Sequence, residues 1–153
     1  MLWHSHVVRI LVLCAGNICR SPMAEMLLRR SLADRGVEAE VSSAGLWAEA
    51  GLPASGGASA AAQHLGLDLR AHRSAQLDPS DVARADLVLV MTASQRDEVN
   101  RLEPDASTKV LVLGDKDIDD PYLGDPATYG ACAAQIEAAC DALAERVANG
   151  ELG

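Results

Sequence analysis

Apolar residues gather in four short runs, Val7–Cys14, Ala39–Ala44, Asp86–Met91 and Lys109–Leu113. In the first, third and fourth the apolar character is nearly unbroken: Ile10-Leu11-Val12-Leu13, Leu87-Val88-Leu89-Val90 and Val110-Leu111-Val112-Leu113. A strand with apolar side chains on both faces needs cover on both, which is the habit of parallel sheets. The stretches between carry helix punctuation. Ser21-Pro22 reads as the N-cap and first residue of a helix with Ala24, Leu27, Leu28 and Leu32 facing inward and Gly36 as its stop. A second helix is predicted around Ser55–Leu65, closed by Gly66. Asp78-Pro79 starts a short one, Ser94–Leu102 carries another, and Asp125-Pro126 opens a long terminal helix to about Ala148. The segment Leu52–Ser59 reads as the softest, a loop.

Strands alternating with helices predict an α/β fold: a doubly wound, four-stranded parallel sheet with helices on both faces and right-handed crossovers. A chain of 153 residues without internal repeats fits one domain spanning 1–153, with a core of about 7–148. Such folds bind ligands beyond the carboxyl ends of the strands, where the winding reverses. Here that is the loop after Leu13.

The net charge of −9 argues against a nucleic-acid binder or a membrane-surface protein, both of which need a basic footprint. If an acidic chain binds an anion, it must concentrate positive groups in a pocket. The Leu-Val-Leu-Cys sequence ending at Cys14 superficially matches a lipoprotein processing site, but Arg9 interrupts the run and Leu13 is too large for the position before the cysteine. No segment reaches the length of a membrane span. Of the four cysteines, Cys132 and Cys140 share a helix face with Ile136, Leu143 and Val147 and read as core residues. Free thiols imply a reducing compartment, so a cytoplasmic protein is expected.

Cys14 and Arg20 bracket the loop Ala15-Gly16-Asn17-Ile18-Cys19. The spacing alone is weak, since Cys140 and Arg146 repeat it inside a helix. Context separates the two pairs. Cys14 ends a buried strand, and the loop, with Gly16 to let the chain curl, can turn successive N–H groups into an anion-binding ring. The helix that follows adds the positive end of its dipole, and Arg20 brings a planar fork for two phosphate oxygens. The same field favours the thiolate form of Cys14. A strand-end cysteine beside a surface arginine is the plainer alternative.

The run Val12–Glu25, Val-Leu-Cys-Ala-Gly-Asn-Ile-Cys-Arg-Ser-Pro-Met-Ala-Glu, resembles the active-site loop of the low-molecular-weight protein tyrosine phosphatases nearly residue for residue. The resemblance extends along about Val7–Val147 and takes in Ser43-Ala44-Gly45, His72, Gln76-Leu77 and Asp120-Pro121-Tyr122. It implies that Cys14 is a nucleophile forming a cysteinyl-phosphate and that Arg20 clamps the phosphate within residues 15–20. Asn17 would hold the loop geometry, Ser21 would support the thiolate, and Ser43 and His72 would stand behind. Asp120 would be the general acid and then the base. Of three Asp-Pro pairs, Asp78 and Asp125 precede helices and read as caps, which leaves Asp120 for chemistry. The chain has two Trp, two Tyr and no Phe; Trp47 and Tyr122 fall in loops expected beside the pocket, where they could flank a phosphotyrosine ring. Leu123, expected in the substrate pocket with them, stands where many relatives carry a second aromatic, Ala75 where an arginine is common, and Thr92 where some have aspartate.

The expected partner is a phosphotyrosine-containing protein or peptide, acted on by a monomer without cofactor or metal. His4, His6, His64 and His72 form no ligand pattern. Rival readings are a protein-arginine phosphatase of the same fold, which tends to carry threonine at the position of Ile18, a thiol-dependent arsenate reductase, and a non-catalytic phosphopeptide-binding module. The reductase needs further redox cysteines, and none lies between Cys19 and Cys132. Cys19 either packs the loop or forms a reversible disulfide with Cys14, as two neighbouring low-pKa thiols would favour.

Overall fold

The computed structural model of the protein describes residues 7–152. Strands β1 (Val8–Cys14), β2 (Ala39–Gly45), β3 (Leu87–Val90) and β4 (Val110–Val112) form one sheet in the order β2-β1-β3-β4. Every neighbouring pair is parallel: Val8 stands opposite Ala39, Ile10 opposite Leu87, and Val88 opposite Val110. The chain steps from β1 outward to β2, then returns to the other side of β1 for β3. That reversal opens a crevice at the carboxyl end of β1.

Burial follows the two-residue period of the strand. Val8, Ile10, Val12 and Cys14 face one core, shared with Leu87 and Leu89 of β3. Leu11 and Leu13 face a second, shared with Val88 and Val90. Helices α1 (Arg20–Asp34), α2 (Gly56–His64) and α5 (Pro126–Ala148) cover the first through Leu27, Leu28 and Leu32, Ala58 and Ala62, and Ile136, Cys140, Leu143 and Val147. Helices α3 (Pro79–Arg84) and α4 (Ala93–Leu102) cover the second through Val82 and Val99. Leu28 is fully buried, and a leucine so placed contributes about 1.5–3 kcal/mol.

Two expectations about local structure need correction, and one element is added. Ser21 does not cap α1; the helix begins at Arg20, and its N-cap, Cys19, makes no side-chain capping bond. The Ser21 hydroxyl is used elsewhere, as described below. The segment Leu52–Ser59 is not slack: Ser55 donates its N–H to the Ile18 carbonyl (2.8 Å), caps Ala58, and starts α2 immediately afterwards. A short 3₁₀ helix over Pro104–Lys109, which the hydrophobic pattern did not indicate, leads into β4.

Two close approaches bring the upper elements together. A Cβ on Gly57 would overlap the ring of Tyr129, so α2 and α5 meet where only glycine fits. A Cβ on Gly45 would meet the Ala15 carbonyl oxygen at 2.8 Å, so the end of β2 lies directly against the loop after β1. No helix among the described residues is long and apolar enough to cross a membrane.

Candidate active site

The loop from Cys14 to Arg20 connects β1 to α1 at the crevice. Backbone bonds from Leu46 to the Cys14 carbonyl (3.0 Å) and from Trp47 to the Ala15 carbonyl (2.9 Å) tie it to the segment after β2. Among the described residues, the N–H groups of Ala15, Gly16, Ile18 and Cys19 meet no acceptor. With the uncapped start of α1 they form a cluster of free donors, the physical basis of an anion site.

The residue that turns the loop is Asn17, with φ of 59°, whereas Gly16 keeps an ordinary φ. Glycine was the expected pivot. Asparagine tolerates the left-handed region and can be locked there by its side chain. Asn17 is fully buried, and its Nδ2 donates to Ser21 Oγ (2.8 Å) and Ser43 Oγ (2.9 Å). Its Oδ1 accepts from the Ala75 N–H (2.9 Å), and its carbonyl accepts from His72 Nε2 (2.7 Å). Because a carbonyl only accepts, His72 carries its proton on Nε2.

Around the sulfur of Cys14 the donors converge. The Asn17 N–H points to Sγ at 3.2 Å, and Ser21 Oγ lies 2.9 Å away. Ser21 Oγ also accepts from Asn17 Nδ2, and its hydroxyl hydrogen can turn toward the sulfur. Cys14 is 2% exposed, yet it lines a cleft of about 230 Å³ together with Gly16, Ile18, Cys19 and Arg20.

Arg20 is 4% exposed. Nη1 donates to the Ile118 carbonyl (2.8 Å), and Nη2 stands 3.7 Å from Asp120 Oδ2. Nε, also buried, has no acceptor among the described residues. A buried guanidinium N–H without a partner is costly unless an oxyanion completes it. Asp120 reaches this position because the Ile118 N–H binds the Met91 carbonyl (2.9 Å), which anchors the loop after β4 beside the end of β3. Asp120 remains about half exposed and receives the Tyr122 N–H (3.1 Å). Asp78 and Asp125, by contrast, accept from Ser80 and Thr128 as helix caps.

Trp47 and Tyr122 both line the cleft. Leu123 does not: it is 85% exposed, has a φ of 66° and borders a neighbouring cavity. Glu49 and Leu52 complete the rim and carried no signal in the sequence. They are held there by Ser74, whose N–H donates to the Leu52 carbonyl (2.7 Å) and whose Oγ donates to the Glu49 carbonyl (2.5 Å). Gln76 adds bonds to the Ala48 N–H (2.7 Å) and the Leu46 carbonyl (2.9 Å). Thr92 caps α4, a structural role.

Cys19 also departs from expectation. Its Sγ contacts Ser55 Oγ (3.2 Å) and Tyr129 Oη (3.5 Å), and burial pushes its thiol pKa up, outweighing both bonds. It is therefore not a second low-pKa thiol. Burial likewise raises Cys132 to about 11 and pushes Cys140 up. His4 and His6 lie outside the described residues. Among those described, no group of three His, Cys, Asp or Glu side chains is gathered as a metal site.

The sequence profile of the family described as low molecular weight phosphotyrosine protein phosphatase matches residues 9–151. The chain is 43% identical to the probable low molecular weight protein-tyrosine-phosphatase EpsP of Ralstonia nicotianae, over 90% of this chain and 94% of that protein. Its structure is similar to that of the tyrosine phosphatase Wzb from Escherichia coli K30 in complex with sulphate (TM-score 0.85, 34% identity, 91% of this chain and 97% of that one). It is also similar to the YwlE arginine phosphatase from Geobacillus stearothermophilus (TM-score 0.86, 35% identity, 94% and 95%). A profile spanning nearly the whole chain, on a parallel sheet whose first loop presents a sulfur, free amides and a buried guanidinium together, leaves one conclusion: the chain belongs to the low molecular weight phosphotyrosine protein phosphatase family.

Proposed function

We propose that the protein hydrolyses phosphotyrosine in protein substrates through a covalent phosphocysteine, with Cys14 as nucleophile, Arg20 as phosphate clamp and Asp120 as proton donor and acceptor. The observation that carries this reading is the convergence of Cys14, Arg20 and Asp120 on one small cleft. In the first step Cys14 Sγ attacks phosphorus, an S–P bond forms, and the P–O bond to the tyrosine breaks. Asp120 gives its proton to the departing phenolate oxygen. In the second step the Asp120 carboxylate takes a proton from water, whose oxygen displaces the sulfur and releases phosphate. The free amides of Ala15, Gly16, Ile18 and Cys19 and the Arg20 guanidinium hold the equatorial oxygens, whose charge peaks in the transition state.

Ala15, Gly16, Asn17, Ile18 and Cys19 serve as the phosphate cradle, and Ser21, Ser43 and His72 hold it in shape. Trp47 and Tyr122 grip the phenyl ring. We assign the activity to a monomeric single-domain protein in the cytoplasm, where its four free cysteines stay reduced. Phosphoarginine is the second reading, given the likeness to an arginine phosphatase. Ile18 argues against it, since this apolar side chain lines the cleft and offers no acceptor to a guanidinium.

The test is turnover of phosphotyrosine and phosphoarginine by the unaltered protein, Cys14→Ser and Asp120→Ala. Phosphotyrosine should be preferred, the first variant should be inactive, and the second should lose roughly 10²–10⁴-fold in turnover. A fully active Cys14→Ser would exclude the thiol mechanism.

A further inference from the structure

Beside the catalytic cleft lies a second, larger cavity of about 500 Å³ between α2 and the start of α5. Its floor consists of small residues, Gly57, Ala61, Gly130 and Ala133 among them, and none of the described residues lining it is Asp, Glu, Lys or Arg. In a chain carrying a net charge of −9, a concave surface without an acid or a basic side chain longer than histidine is chemically distinct from its surroundings. The two cavities share one wall: Tyr122 lines both.

The lip at this wall is strained. Leu123 adopts a left-handed φ of 66° and is 85% exposed, where glycine or asparagine would rest without cost. Strain of this kind persists where the surrounding structure imposes it, and it clusters at ligand clamps. Tyr122 and Leu123 thus present an apolar ridge, with the cleft on one side and the larger cavity on the other.

We propose that this cavity is a substrate subsite that takes an apolar side chain of the phosphoprotein, within about three residues of the phosphotyrosine. The inference rests on the phosphotyrosine reading and extends it to the substrate's sequence. Continuity with the cleft through Tyr122 selects the occupant: a polypeptide whose phosphotyrosine sits over Cys14 must continue past the Tyr122–Leu123 ridge. An extended chain advances about 3.3–3.6 Å per residue, so three residues reach about 10 Å from the phosphotyrosine. The uncharged lining then favours Leu, Phe or Met over Asp, Glu or Lys at that position. The cavity could hold more than one such side chain, so selectivity falls on polarity more than on shape.

The experiment uses phosphotyrosine peptides in which Leu, Ala or Glu occupies each position from three before to three after the phosphotyrosine, together with free phosphotyrosine. At one position or more, kcat/KM for Leu should exceed that for Ala by about tenfold, the usual worth of one apolar group in a pocket. Gly130→Met, whose new side chain enters the cavity from a helix position with nothing within 4 Å of an added Cβ, should bring that ratio close to one. Ala60→Met, from the opposite wall, should do the same, and thermal unfolding verifies that both variants are folded. Equal kcat/KM for Leu, Ala and Glu at every position overturns the subsite while leaving the phosphatase reading intact. A Leu preference that persists in both variants overturns it too. A dimer of the unaltered protein that Gly130→Met dissociates would assign the surface to a second copy instead. Failure to turn over free phosphotyrosine would overturn the underlying reading and the subsite with it.

Discussion

Asn17 concentrates more of the site's geometry than any other residue, and replacing it by alanine tests that directly. Three side-chain hydrogen bonds would be lost, to Ser21, Ser43 and the Ala75 N–H. Each is worth about 1 kcal/mol net. Alanine would also have to hold the φ of 59° unaided, at roughly 1–2 kcal/mol. Relaxation of the loop would recover part of this, so a loss of about 3 kcal/mol is expected, a large share of the roughly 5–15 kcal/mol that stabilises a typical domain. Urea denaturation should show a lower midpoint with an unchanged slope. Asn17→Gly, which tolerates the backbone angle but makes no bonds, should be less destabilised than Asn17→Ala by about 1 kcal/mol. In the same variants kcat/KM should fall by roughly 10²-fold, the cost of about 1 Å of misplacement at a reacting centre. An Asn17→Ala protein within about 0.5 kcal/mol of the unaltered one, with kcat/KM unchanged, would refute the view that this side chain holds the loop.

Further outcomes follow from other parts of the structure. Gly57→Ala places a methyl group against the Tyr129 ring and should lower both thermal stability and activity, because Tyr129 Oη contacts Cys19 and Ser55 beneath the cleft; unaltered unfolding would show that α2 can simply shift. The Asp125 carboxyl is held below its ordinary range by the Thr128 N–H and then the Thr128 hydroxyl, and Asp78 by the corresponding groups of Ser80. Since these folded-state values lie below the unfolded ones, their contribution is complete above about pH 4 and is lost as pH falls through the folded values. Urea midpoints should therefore drop below pH 4, and less steeply in Asp125→Asn, which keeps the cap without the charge; parallel curves would refute the assignment. Mild peroxide should convert Cys14 to a sulfenic acid; the Cys19 sulfur, lining the same cleft, should then attack the Cys14 sulfur, slowly because its thiol pKa is raised, forming the S–S bond as the S–O bond breaks and the hydroxyl leaves with the thiol proton as water. Intact mass and peptide mapping would detect it, and accumulation of sulfinic Cys14 alone would exclude it.

Much of this molecule was legible along the chain because the signals are local. Continuous apolar runs indicated strands covered on both faces, and Asp78-Pro79 and Asp125-Pro126 announced helix starts that the structure contains. Cys14 and Arg20 could be paired because the loop between them is a contiguous segment at the end of a strand. Asp120 was separable from the other Asp-Pro pairs since capping accounts for those two.

Tertiary structure alone decided what depends on contacts between distant segments. Whether Asn17 or Gly16 takes the left-handed turn depends on Ser43, His72 and Ala75 arriving from elsewhere to hold the asparagine. Local pattern made Ser21 a cap; packing against Cys14 and Asn17 gave its hydroxyl a different partner. Cys19 appeared by sequence to share its neighbour's electropositive setting, yet α2 and α5 close over it and desolvation dominates. Glu49, Leu52 and the cavity behind Tyr122 exist only through the meeting of the Ser74 segment, α2 and α5. Periodicity and punctuation report what each residue does to its own neighbours, whereas a burial or a hydrogen bond across dozens of residues is set by the register of the whole sheet.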